Sequence, residues 1–227
     1  MTPRSRSDFP GAERWVPDDV TLPALHEAVQ GCRGCDLYRD ATQAVMGSGD
    51  ADAAVMLLGE QPGDREDVAG EPFVGPAGKL LDRALADAGI APDDTYVTNA
   101  VKHFRFERRG KQRIHKSPSR GQVLACAPWL SAELEAVGPR GVVILGGTAG
   151  KAVYGSSFKV GESRGRLIDW PTDTLAVRRP PDWVLATIHP SAALRAEKRD
   201  EMYAGLVADL RVAADALAEQ AHASRQG

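Results

Sequence analysis

Three groups of residues in this chain have the chemistry for a reactive site. The first is thiol. Cys32 and Cys35 form a C-x-x-C pair, and Cys126 is the third and last cysteine. The odd count, with no hydrophobic leader in the polar N-terminus, argues against a disulfide framework and for a reducing, cytoplasmic setting. The pair then reads as a metal, cluster or redox site. The second group sits where expected core strands stop: Glu60-Gln61 after Ala53–Leu58, Asn99 after Thr95–Thr98, and His189 after Trp183–Ile188. Buried runs of this kind suit a parallel sheet, and open sheets of that class bind ligands at the carboxyl ends of their strands. A carboxylate, an amide and an imidazole meeting in one crevice can read the polar edge of a small planar ring and handle charge. The third group is basic. From Lys102 to Arg120 there are eight Lys or Arg against one acid, Glu107, giving +7 locally in a chain of net −3. Such a patch on an acidic body fits a polyanion partner; the plainer reading is a solvated surface loop. This stretch is broken by Gly110 and carries His115 near its end.

The elements that would position these groups alternate. Helices are expected over 23–30, 76–88, 119–137 (Ser119 as N-cap, Pro128 inside), 149–154 and 199–221. Buried strands are expected over 53–58, 95–98, 141–145 and 183–188, with an edge strand over 166–169 and a long acidic loop over 64–75. The pattern predicts an α/β fold: one three-layer α/β/α domain with a central, mostly parallel four-stranded sheet. At 227 residues, 43% hydrophobic and 26% charged, one globular domain over 12–221 is expected, with a disordered tail at 1–11 and a frayed one at 222–227. No apolar run reaches the roughly 18 residues of a membrane span. Nothing reads as a dimer face, so a monomer with no protein partner is expected.

Gly59-Glu60-Gln61-Pro62-Gly63 and the run from Gly70 through Phe73, Gly75 and Gly78 to Leu81 form one set of motifs. With Thr98-Asn99 and His189-Pro190-Ser191, they resemble the uracil-DNA glycosylase superfamily, and most nearly its iron–sulfur branch. The resemblance runs from about Gly31 to about Leu210. The basic stretch ending in Arg113-Ile114-His115 looks like the UdgX type, whose loop histidine bonds covalently to the deoxyribose after uracil leaves. Gln112 departs from that type, standing where a basic residue is usual.

The resemblance implies uracil-containing DNA, single- or double-stranded, as the partner and a [4Fe–4S] cluster as cofactor. The branch uses four cysteines; this chain has Cys32, Cys35 and Cys126, with His103 where the remaining cysteine would stand. Imidazole can replace thiolate on iron. A zinc site of Cys3His type fits the ligand count equally, and only the resemblance favours iron. Phe73 would stack on the extruded base, Asn99 would read the uracil edge, and the backbone around Gln61 would add contacts. His189 would donate to the uracil anion, and His115 would capture the sugar cation with Glu60 receiving its proton. Arg108, Arg109, Lys111, Arg113 and Lys116 would hold DNA phosphates. An ordinary multiple-turnover uracil-DNA glycosylase, and a non-catalytic iron–sulfur DNA-binding module, are the other readings.

Overall fold

Each of the four apolar runs is a strand buried on both faces, and this sets the layering. The computed structural model describes residues 8–173, 175 and 177–224. In chain order these form α1 (Leu22–Val29), β1 (Ser48–Gly49), β2 (Val55–Gly59), α2 (Asp64–Ala69), α3 (Pro76–Ala88) and β3 (Thr95–Asn99). Then come β4 (Phe106–Arg109), β5 (Gln112–His115), α4 (Arg120–Val137), β6 (Gly141–Leu145) and α5 (Gly147–Tyr154). The chain closes with α6 (Val160–Ser163), β7 (Leu167–Ile168), β8 (Trp183–Thr187), α7 (Pro190–Arg195) and α8 (Arg199–Ser224).

The main sheet has the order β1-β3-β2-β6-β8-β7. Its four central strands are parallel, as expected. It has six strands among the described residues, not four, because β1 and β7 add antiparallel edges. β7 lies within the edge strand expected over 166–169, whereas β1 is only two residues long, too short to carry an alternation that could be read. Alternate residues of the central strands feed opposite cores. Met56, Leu58, Val142 and Ile144 pack with Leu130 and Leu134 of α4, and with Val153 of α5. Val55, Leu57, Val143 and Leu145 pack with Leu81 and Leu85 of α3, and with Leu206 and Leu210 of α8. The layers are therefore α4 and α5, the sheet, and α3 with α8. Among the described residues no helix is long and apolar enough to cross a membrane.

Two expectations are corrected. The acidic loop over 64–75 begins with α2, whose first turn carries Asp64, Glu66 and Asp67, where a helix N-terminus favours carboxylates. The basic stretch is a hairpin, β4 against β5, with Arg109 opposite Gln112 and Phe106 opposite His115. Gly110, at φ 57°, takes the first central place of its two-residue turn, where a type II′ turn needs glycine. The tails also differ from expectation. Residues 1–7 and 225–227 lie outside the described residues. Within the expected N-terminal tail, the Gly11 N–H donates to the Gly34 carbonyl at 3.0 Å. At the other end, α8 continues to Ser224, beyond the expected boundary.

Candidate active site and cysteine-lined cavity

The central order β3-β2-β6-β8 reverses direction at β2, so the crevice opens at the carboxyl ends of these strands. Glu60 follows β2, Asn99 ends β3, and His189 follows β8 as the N-cap of α7. The structure thus brings together three residues far apart in sequence. Asn99 is buried, and Gly59 beside it has no room for a side chain. A Cβ there would lie 2.4 Å from Asn99 Oδ1 and 2.8 Å from Phe73 Cζ. Phe73 stacks near His189, with ring centroids 6.1 Å apart. Its φ of 58° is the one positive value among the described non-glycine residues. That conformation costs about 1–3 kcal/mol and is typical of functional sites. Gly78 makes it attainable, since a Cβ there would collide with the Phe73 carbonyl.

The tautomer of His189 follows from its contacts. The Ser191 backbone N–H donates to Nδ1 at 3.2 Å, and the Ser191 hydroxyl lies 2.8 Å from the same atom. Nδ1 is therefore the acceptor, and Nε2 carries the proton. Burial pushes the imidazole pKa down to about 4, against the opposing pull of Glu60, so His189 is a neutral donor.

His115 ends β5 and is half exposed, with its ring near Phe104. Its Nε2 lies 3.7 Å from Glu60 Oε1. That oxygen is buried and has no hydrogen-bond partner among the described residues. The Gln61 side chain faces the hairpin. Its amide nitrogen donates to the Arg105 and Lys116 carbonyls, and its oxygen accepts from the Arg105 N–H. The side chain thus clamps both ends of the hairpin, and only the backbone there is left for the contacts expected of Gln61. Arg113 is paired within the protein. Its guanidinium lies 2.5 Å from both Asp64 and Asp67 of α2, so it ties the hairpin to the body. Lys116 is ion-paired with Glu107 at 2.7 Å. Arg108, Arg109 and Lys111 are exposed at the hairpin tip, as a phosphate-binding role requires. Alanine at each of these three should weaken DNA binding and lower the salt slope by about 0.7 per lost phosphate contact. Melting should not change. Arg113→Met should do the reverse, lowering the melting temperature by stranding buried Asp67.

Cys32, Cys35, Cys126 and His103 are all buried and line one small cavity with Gly34 and Ala125. Three N–H groups point at the sulfurs: Gly34 and Trp129 Nε1 to Cys32 at 3.5 and 3.2 Å, and Lys102 to Cys126 at 3.3 Å. Burial pushes the free thiols of Cys35 and Cys126 up to about 11 and about 12, and the His103 imidazole down to about 4. A cation in the cavity would reverse the trend for the thiols and favour thiolate. Among the described residues no three His, Cys, Asp or Glu side chains converge as a single ion would need.

Comparison with known proteins decides the family. Residues 46–211 match the family model described as "Uracil DNA glycosylase superfamily". The chain belongs to this superfamily. It is 34% identical over 180 residues to a type-4 uracil-DNA glycosylase of Pyrobaculum aerophilum, covering 78% of this chain and 86% of that protein. A type-4 uracil-DNA glycosylase of Thermotoga maritima is 34% identical over 175 residues, covering 77% of this chain and 83% of that one. A type-5 uracil-DNA glycosylase of Pyrobaculum aerophilum aligns over 138 residues at 34% identity, half of this chain.

For this superfamily member, the lowered pKa of His189 has a stability consequence. It sits at about 4 when folded and near 6.5 when unfolded. The unfolded state binds more protons between those values, so stability is whole above about pH 6.5 and is lost as pH falls toward about 4. The residue contributes up to about 3 kcal/mol. Urea unfolding at about pH 7 and about pH 5 should show the loss, and His189→Asn should reduce it.

The sequence reading missed one further group. Lys102, counted in the basic patch, is fully buried against Glu133 with Nζ–Oε2 at 2.5 Å. Glu133 also accepts from Gly47 N–H, Tyr96 hydroxyl and Thr98 hydroxyl. A glutamate facing inward from the middle of an apolar helix stripe was the available signal.

Proposed function

We propose that this protein excises uracil from DNA and becomes covalently joined to the resulting deoxyribose through His115. The observation that carries the reading is the Glu60 carboxylate oxygen, buried and without a hydrogen bond, aimed at His115 from 3.7 Å. A buried carboxylate oxygen is costly unless something arrives to satisfy it. A histidine that loses a proton to it would do so.

The uracil would stack on Phe73, with the Asn99 amide donating to O4 and accepting from N3–H. Cytosine presents the opposite pattern on that edge and leaves polar groups unpaired. When the C1′–N1 bond breaks, its electron pair goes to the base and positive charge builds on the sugar. The His189 Nε2–H donates to O2 of the departing anion. One ring nitrogen of His115 then gives its lone pair to C1′. The other loses its proton to Glu60, leaving a neutral imidazole bonded to the sugar. Because the bond does not turn over, each molecule acts once. Arg108, Arg109 and Lys111 would hold the strand, whether single or double.

Cys32, Cys35, His103 and Cys126 would hold a [4Fe–4S] cluster. Four buried donors around one cavity match the ligand count of such a cluster. Its contribution would be structural, joining the loop after α1 to both flanks of the hairpin. Iron and acid-labile sulfide content tests this directly.

The functional test is a denaturing gel of the protein with labelled single-stranded DNA carrying one uracil, beside the same strand with thymine. A heat- and detergent-resistant shifted band, with one free uracil per protein, is the expected result. Abasic sites accumulating beyond one per protein, with no band, would favour the multiple-turnover glycosylase. Neither product would leave a DNA-binding module.

A further inference from the structure

The buried Lys102–Glu133 pair lies outside the proposed chemistry, yet it touches the residue that reads the base. Lys102 Nζ donates to Glu133 Oε2 at 2.5 Å, to the Thr98 hydroxyl at 2.8 Å and to the Asn99 carbonyl at 2.7 Å. All three ammonium protons are used, in a side chain with no solvent exposure. We propose that Lys102 is a positioning residue for base recognition: its ammonium, locked by Glu133, fixes the main chain of Asn99 and so sets where the Asn99 amide meets the base. The inference rests on the glycosylase reading.

Two observations carry it. Stability alone does not account for the pair, since an ion pair this buried is often matched or bettered by apolar side chains of similar volume. The position it controls also has little tolerance. Asn99 is the last residue of β3, paired with Gly59. Its Oδ1 and the Phe73 ring close over Gly59 at distances that leave no space for a methyl group. A small shift of the Asn99 backbone would carry the amide into Phe73 or away from the base. Misplacements of this size cost rate even when made away from the reacting atoms. Glu133 is itself fixed by Gly47 N–H at 2.8 Å and Tyr96 hydroxyl at 3.1 Å, so the ammonium has a rigid partner.

The test is a double-mutant cycle. Lys102→Met with Glu133→Gln removes both charges while leaving acceptors for Gly47 and Tyr96; Lys102→Met with Glu133→Leu is the apolar second version. Each is made in the native and the Asn99→Ala background. Uracil release is measured in a single turnover, per folded molecule, beside the affinity for a uracil-free strand. The expected result is a loss of about ten- to a hundredfold in the native background, with none added in Asn99→Ala. Affinity for the uracil-free strand should not change. Equal losses in both backgrounds, or no loss in either, would overturn the proposal. Failure of both versions to fold would also overturn it, by making the pair purely structural. A native protein that releases no uracil would remove the glycosylase reading and this inference with it; an active native protein with additive losses would remove only this one.

Discussion

Serine in place of His115 is expected to abolish the protein–DNA band that survives heat and detergent, while uracil is still released. The two outcomes separate because different residues carry them. In the proposed reading, base departure depends on His189 and Asn99 inside the crevice. Capture of the sugar would depend on His115 at the hairpin end, 51% exposed and facing Glu60. A serine hydroxyl is shorter and holds its proton tightly at neutral pH, so it competes poorly for C1′. With the ring gone, the unpartnered Glu60 oxygen is left to hold a water molecule at the mouth of the crevice. Water capture regenerates the protein, and alkali-cleavable sites should exceed one per molecule. The fold should tolerate the change, because a half-exposed side chain is lost. A band of undiminished intensity in His115→Ser would place the covalent bond on another residue and defeat this reading.

His189→Ala is expected to slow uracil release itself by about 10²–10³-fold, the effect of losing one donor aimed at a developing anion. The loss should appear in single-turnover rate more than in DNA affinity, since the donor acts as charge forms on the base. The Ser191 contacts hold the ring with Nε2–H outward, so Ser191→Ala should cost less, leaving the backbone N–H to Nδ1 in place. The pH dependence has a definite sign. With a pKa near 4, His189 stays neutral through the region around 6.5 where an ordinary histidine titrates. No inflection from this residue is expected there. A loss below tenfold in His189→Ala would remove it from the chemistry.

Much of this site was legible because strand ends converge by topology. Glu60, Asn99 and His189 are remote in sequence, but each follows an expected core strand, and a parallel sheet places such residues together. The four central strands were readable for the same reason: burial on both faces gives uninterrupted apolar runs. The edge strand Ser48–Gly49 has too few residues to show a period, whereas Leu167–Ile168 falls within the edge strand expected over 166–169. The hairpin was hidden by its composition. Its charges read as a loop, although Arg109-Gly110-Lys111-Gln112 holds the turn signal. What sequence could not separate was one cation from another. Lys102, Arg113 and Arg109 look alike in a charge count. The fold buries the first against Glu133, spends the second on Asp64 and Asp67, and leaves the third on the surface. Partner choice of that kind is set by tertiary contacts between segments dozens of residues apart.

The hairpin is also a separate ribbon, held to the body through Arg113. It leaves the body at Arg105 and returns at Lys116, and those residues are themselves bonded, N–H of Lys116 to carbonyl of Arg105 at 3.0 Å. Gln61 staples both ends from below. Its strands form a sheet of their own, sharing no ladder with the central one. The ribbon could therefore be shortened, exchanged or lost in a lineage without re-registering any core strand. In the proposed reading, the fate of the sugar, adduct or abasic site, would then be inherited separately from the ability to recognise the base.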